Sequence, residues 1–201
     1  MAKKALIFGA GLAGTCLAHR LLSQGIEVKI IDNGSNHSSA VAAGMVNPMV
    51  FRRMNKSWRL DEFLPEAQAF YLEIEHLLQT KFYHPIVIRR FFSSDEERES
   101  WQSRSADQAY QPYLEKLTPS DLEHTAAHNT FGSGRVKSAF WVDAAKWVKH
   151  HLDYFKQLGY LEQHEFDAQL WDPMVRKYNG ETYDFVVFCM GYTQKNESTF
   201  S

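Results

Sequence analysis

The apolar positions fall into patterns that predict alternating strands and helices. Residues 5–8 (Ala5-Leu6-Ile7-Phe8) are an unbroken apolar run, the pattern of a strand buried on both faces. Residues 15–25 predict a helix that Gly25 stops, and Glu27-Val28-Lys29-Ile30-Ile31 predicts a second strand ending in Asp32. Phe63, Ala67, Phe70, Tyr71, Ile74, Leu77 and Leu78 recur at three- and four-residue steps, which predicts a core-facing helix over about 60–80. Pro65 suits only the first turn of that helix. A strand follows at 85–92, then a helix from Asp95, with Ser94 as its cap and acids in its first turn. Polar, loop-prone sequence runs over 103–134. A strand at 135–141 and an amphipathic helix at about 143–157 return the chain to the first sheet. Asn179-Gly180 predicts a hairpin turn between strands at 174–178 and 182–188.

The first strand runs directly into Gly9-Ala10-Gly11-Leu12-Ala13-Gly14, a complete G-x-G-x-x-G. The spacing has a physical reason. Gly9 permits a tight turn, Gly11 lets backbone approach a pyrophosphate, and Gly14 lets the helix pack close to the strand. The unpaired N–H groups and dipole at the helix N-terminus favour an anion. Asp32, at the end of the second strand, suits a pair of ribose hydroxyls and repels a 2′-phosphate. Strand, glycine turn, helix, strand and acid occur in order, which points to a dinucleotide site and disfavours NADP.

Composition narrows the class. The 201 residues carry 22 basic and 24 acidic side chains, a net charge of −2, which excludes a polycation working on nucleic acid and gives no attraction to an anionic membrane. At 44% hydrophobic and 14% aromatic, the chain can bury a sizeable core. Its two cysteines, Cys16 and Cys189, lie in apolar runs, so a disulfide-stapled secreted domain is not expected and a cytoplasmic location is. The N-terminal apolar stretch is too short for a signal peptide, and no window is apolar enough to span a bilayer.

After the second strand comes Ser38-Ser39-Ala40-Val41-Ala42-Ala43-Gly44-Met45. Small residues and hydroxyls in a row let backbone lie against a ligand and offer donors to phosphate, although a small-residue linker or a closely packed helix has the same composition. Together with Gly9–Gly14, Asp32 and the late apolar strand that ends in Cys189-Met190-Gly191, this segment resembles the FAD-dependent oxidoreductases of the D-amino-acid oxidase and glycine oxidase superfamily.

The resemblance implies an α/β fold: a Rossmann-like FAD-binding domain (1–48 and 141–201) interrupted by an α+β substrate, or cap, domain (49–140). It implies FAD as cofactor, with Leu12 and Ala13 at the pyrophosphate turn and Asp32 with Asn33 at the adenosine ribose. Ser38, Ser39, Ala43, Gly44 and Met45 would run along the pyrophosphate and flavin side, and Cys189 and Gly191 would form the second flavin turn. Residues 161–166 align with the strand whose backbone clasps adenine. Phe166 stands there where the family usually has valine, and Asp32 replaces the commoner glutamate. The implied reaction is hydride transfer from a small amine or amino acid to flavin N5. It also implies a chain that continues well past Ser201, so these residues are expected to be part of a longer flavoenzyme, and no substrate-binding or catalytic residue is assigned.

The basic cluster 52–59 (Arg52, Arg53, Lys56 and Arg59) follows the small-residue loop. Charge there would stabilise a reduced flavin or attract a carboxylate, or simply sit in solvent. No metal is expected: adjacent His150 and His151 point different ways on a helix, and the two cysteines, Cys16 and Cys189, lie far apart in the sequence. Two alternatives stay open, an NAD-dependent dehydrogenase and a non-catalytic dinucleotide-binding fragment. The only partner implied is a small-molecule substrate, with neither nucleic acid nor membrane.

Overall fold

The computed structural model describes residues 2–35, 38–118, 121 and 130–192. Among them the strands are β1 (Lys4–Phe8), β2 (Glu27–Asp32), β3 (Met45–Val46), β4 (Met49–Val50), β5 (Asn55–Lys56), β6 (Tyr83–Phe91), β7 (Ser133–Val142), β8 (Leu161–Gln163), β9 (Trp171–Asp172), β10 (Lys177–Tyr178), β11 (Glu181–Thr182) and β12 (Phe185–Phe188). The helices are α1 (Leu12–Ser23), α2 (Leu60–Leu78), α3 (Asp95–Ala106) and α4 (Ala144–Gln157). The chain divides into two compact units, Met1–Ala42 with Ala144–Ser201, and Ala43–Asp143.

The first unit is built on a parallel sheet in the order β12-β1-β2-β8, so the protein is of the α/β class. The unbroken apolar run of β1 follows from burial on both faces. Ile7 joins Ala10, Ala18, Val28, Ile30 and Phe155 on the face covered by α1 and α4, while Leu6 and Phe8 join Ile31, Tyr178 and Tyr183 on the other. Gly25, just past the end of α1, has φ +72°, a conformation that an L side chain resists.

The hairpin forms where Asn179-Gly180 predicts it, with φ values of 46° and 85°, as a two-residue turn of this kind requires. Its arms are shorter than expected. Only 177–178 and 181–182 pair, and β9 completes this small antiparallel ribbon. The chain leaves the ribbon at Tyr183, whose N–H donates to Arg176 O, and Asp184 N–H then donates to Lys4 O. From there β12 runs parallel to β1, with Ala5 opposite Phe185 and Phe8 opposite Phe188. The expected strand over 182–188 is thus two strands in two sheets, because the β1 edge can pair only after the chain has turned.

The second unit centres on the antiparallel pair β6–β7, with β3 on the other side of β7 and a register shift between Ile86 and Ile88. α2 buries Leu60, Leu64, Phe70, Tyr71 and Ile74, whereas Phe63 and Leu77 from the expected stripe are about half exposed, at 47% and 50%. Leu64 takes the inward position because Phe63 turns out to pack on Trp58 and Arg59. Pro65 lies in the second turn rather than the first, where its missing N–H leaves one helical bond unmade. Ser94 caps α3, its hydroxyl accepting from Glu97 N. The polar stretch after α3 is held partly by Trp101, buried, whose indole N–H donates to Glu115 O at 3.0 Å. Residues 119–120 and 122–129 of that stretch lie outside the described residues. No helix among the described residues is long and apolar enough to cross a membrane.

Candidate functional site

The glycine turn joins β1 to α1, and two of its glycines are dictated by packing against protein. Gly9 has φ +102°, and its N–H donates to Ile31 O at 2.7 Å. A Cβ on Gly9 would overlap the Cys189 carbonyl, and one on Gly14 would overlap the Gly9 carbonyl. Cys189 N–H closes the other side by donating to Phe8 O at 2.6 Å. Gly11 differs. A Cβ there would meet only the Ser39 side chain, with Oγ at 3.0 Å.

Gly11 therefore presents bare backbone to a cleft of about 560 Å³, solvent space included. Of the residues expected to bind cofactor, Gly9, Gly11, Asp32, Asn33, Ser38, Ser39, Phe166, Cys189 and Gly191 all line this cleft. Leu12 and Ala13 form the first turn of α1, where Leu12 N–H donates to Ser39 Oγ at 3.1 Å. Gly14 lies behind them, buried.

Asp32 is held at the cleft edge by backbone. Its Oδ2 accepts from Ala10 N and its Oδ1 from Gly34 N, both at 2.7 Å. Each carboxylate oxygen keeps a further lone pair for a hydroxyl donor. The opposite wall is aromatic: Phe166 meets Phe8 edge-on at 4.9 Å, and Phe8 stacks on Phe188 at 4.9 Å. Bare backbone, helix N–H groups, a fixed carboxylate and an aromatic wall together suit the parts of a dinucleotide.

His164, Met190, Ile31 and Phe8 also line the cleft, and sequence reasoning did not single them out. His164 stands two residues before Phe166, so same-face alternation in an extended segment was the available signal. Its ring lies parallel to Tyr178, and its Nδ1 bonds Glu165 O at 2.8 Å.

The remaining expected residues belong to the second unit. Ala43 and Met45 are exposed there, and Met45 pairs with Trp141. A Cβ on Gly44, at φ +68°, would overlap the Val142 carbonyl, so this glycine is required by β7. In the basic cluster, Lys56 bonds Asp61 and Arg59 bonds Glu62. Burial pushes the Cys16 thiol up to about 12 and raises that of Cys189, which keeps both protonated and poorly nucleophilic.

Residues 4–198 match the family described as DAO, FAD dependent oxidoreductase. The chain belongs to this family. Solved structures with the same fold include iminodiacetate oxidase from Chelativorans sp. BNC1 (17% identity, TM-score 0.66, covering 91% of this chain and 54% of that one). L-proline dehydrogenase from P. horikoshii is similar at 13% identity and TM-score 0.71, over 98% of this chain and 55% of the other. Glycine oxidase from Bacillus cereus ATCC 14579 is similar at 18% identity and TM-score 0.51, over 80% and 46%. The chain thus spans about half the length of the solved structures it matches. The family match gives no support to an NAD-dependent dehydrogenase or a non-catalytic fragment.

Proposed function

We propose that the unit formed by residues 1–42 and 144–201 binds FAD, and that the protein oxidises a small amine or amino acid. The observation that carries the reading is the convergence, on one cleft, of the bare Gly11 backbone, the α1 N-terminus and the backbone-held Asp32. Asp32, with Asn33 beside it, receives the adenosine ribose hydroxyls. Gly11, Leu12 and Ala13 face the pyrophosphate, with Ser38 and Ser39 supplying hydroxyls from the opposite side of the turn. Phe166 packs the adenine, and Cys189 and Gly191 border the cofactor at the end of β12.

When bound, FAD supplies the chemistry by accepting a hydride from the substrate carbon at its N5. The chain's own residues hold it in place. Asp32 orients the ribose through hydroxyl bonds, the α1 N–H groups offset the phosphate charge, and the packed Phe8 and Phe166 rings keep water from the adenine side. Residues 43–143 act as the substrate-side domain, with Ala43, Gly44 and Met45 leading into it. The two free cysteines, Cys16 and Cys189, support a cytoplasmic setting.

Titration of the purified protein with FAD and with NAD, followed by flavin absorption and fluorescence, tests the reading. The expected result is one FAD per chain, not displaced by NAD. Uptake of NAD in preference to FAD, or of neither, overturns it. Anaerobic bleaching of the flavin band by glycine, iminodiacetate or L-proline would then select among substrates.

A further inference from the structure

Helix α4 reaches the glycine turn through one buried hydrogen bond. The Trp147 indole N–H donates to Thr15 Oγ1 at 2.9 Å, a contact between residues 132 positions apart. Both residues are fully buried, and an indole N–H in that setting requires an acceptor. The Thr15 hydroxyl hydrogen is directed at the carbonyl oxygens of Gly11 (2.9 Å) and Leu12 (3.1 Å), and Thr15 N–H adds a bond to Gly11 O at 3.0 Å. A threonine bonded back to the preceding turn is ordinary in a helix. The indole behind it is not, and it is itself held in place. His151 stacks on it at 4.0 Å and bonds the Trp147 carbonyl through Nδ1 at 2.7 Å.

A peptide group is planar and trans, so the Gly11 C=O and the Leu12 N–H point in opposite directions. Thr15 holds the C=O on the inner side. The N–H is thereby aimed outward, where it meets Ser39 Oγ at 3.1 Å beside the cleft. Behind the threonine that holds this peptide stands the indole of α4.

We propose that Trp147 is a positioning residue for the pyrophosphate turn: acting through Thr15, it fixes the Gly11–Leu12 peptide and hence the N–H presented to the cofactor's phosphates. The proposal rests on the FAD reading above. Trp147 is not among the residues lining the cleft, so its effect is transmitted, and the segment after the second unit is required for the first half of the site to hold its geometry.

Four variants and two readouts test it. Trp147→Phe removes the indole donor, Thr15→Val removes the hydroxyl at constant shape, and Thr15→Ser restores it. Leu152→Ala, on the same helix and packed against the same core, controls for plain loss of stability. Measured well below each variant's Tm, W147F and T15V are expected to weaken FAD binding about tenfold, with T15S and L152A within about twofold of wild type. In the cofactor-free protein, exchange of the Leu12 amide hydrogen is expected to rise about tenfold in W147F and T15V and to stay unchanged in the other two. Unchanged affinity and exchange in T15V, or equal losses in L152A, overturn the proposal, and T15V decides if W147F does not fold. Failure of the wild-type protein to take up FAD would instead overturn the functional reading, while the exchange comparison would still decide whether Trp147 holds the turn.

Discussion

Asp32 and Asp121 are both fixed acids, but they are fixed by different means. Asp32, at the end of β2, is held by two backbone N–H groups and stands at an open cleft. Asp121, in the second unit, is buried and held by both the backbone N–H (2.9 Å) and the hydroxyl of Thr118, and by two cations, Arg89 at 3.2 Å and Arg135 at 3.4 Å. Burial alone would raise the Asp121 carboxyl; the Thr118 donors and the Arg135 and Arg89 charges outweigh it and hold the group below the usual carboxylate range. Cations and burial use up an acid's bonding capacity, whereas two backbone donors leave Asp32 able to accept from a ligand. The first arrangement organises protein and the second keeps an acceptor available.

The same contrast extends to the surrounding regions, and the largest effect should appear where backbone meets backbone. Gly14→Ala would place a Cβ on the Gly9 carbonyl, with nothing flexible to move aside, and is expected to cost about 3 kcal/mol or more in chemical denaturation. Asp121→Asn comes next. It removes the negative charge that Arg89 and Arg135 share, leaving them Ser133 and Glu115, and should cost about 2 kcal/mol while leaving FAD affinity unchanged. A loss of FAD affinity in that variant would break the comparison.

Acidification should separate the units further. Burial lowers His19 to about 4 and His151 to about 3, both in the first unit. Because the folded values lie below the ordinary 6.5, the unfolded chain takes up protons first. The contribution is intact above pH 6.5 and is lost as pH falls toward 4 and 3, at ~1.4 kcal/mol per pH unit for each histidine. Denaturation midpoints measured from pH 7.5 to 5 should therefore fall. His151→Gln should flatten the slope, and an unchanged slope would remove the histidines as its cause.

The smallest change in stability is expected at Gly11→Ala, under about 1 kcal/mol, since the new methyl meets only the Ser39 hydroxyl. Its FAD affinity should nevertheless fall, as should that of Asp32→Asn, each by about tenfold. Equal stability losses at Gly11 and Gly14 would erase the distinction between a glycine required by protein and one facing the cleft.

Much of the fold was legible because its signals are local. β1, the glycine turn, α1, β2 and Asp32 form one continuous stretch, and each step follows from periodicity or from a residue's conformational limits. The Asn179-Gly180 turn was legible for the same reason. The parts that escaped depend on distant partners. Phe63 and Leu64 are adjacent and both apolar, so periodicity alone could not tell which would face the core. The short strands β3, β4 and β5 lack enough residues to show a period. β11 and β12 merge in the sequence because both are strands, and only pairing with β1 separates them. His164 joined the site unannounced because the cleft wall is made by chain segments that meet only in three dimensions.

The sequence by itself determined that a strand would enter a glycine turn and a helix, and that an acid would end the next strand, because backbone sterics and short-range periodicity act within a few residues. Tertiary structure alone decided which glycine packs on backbone and which meets only the Ser39 side chain beside the cleft. It also decided that Trp147 would stand behind Thr15, because a hydrogen bond between residues so far apart exists only once the sheet has brought α1 and α4 together.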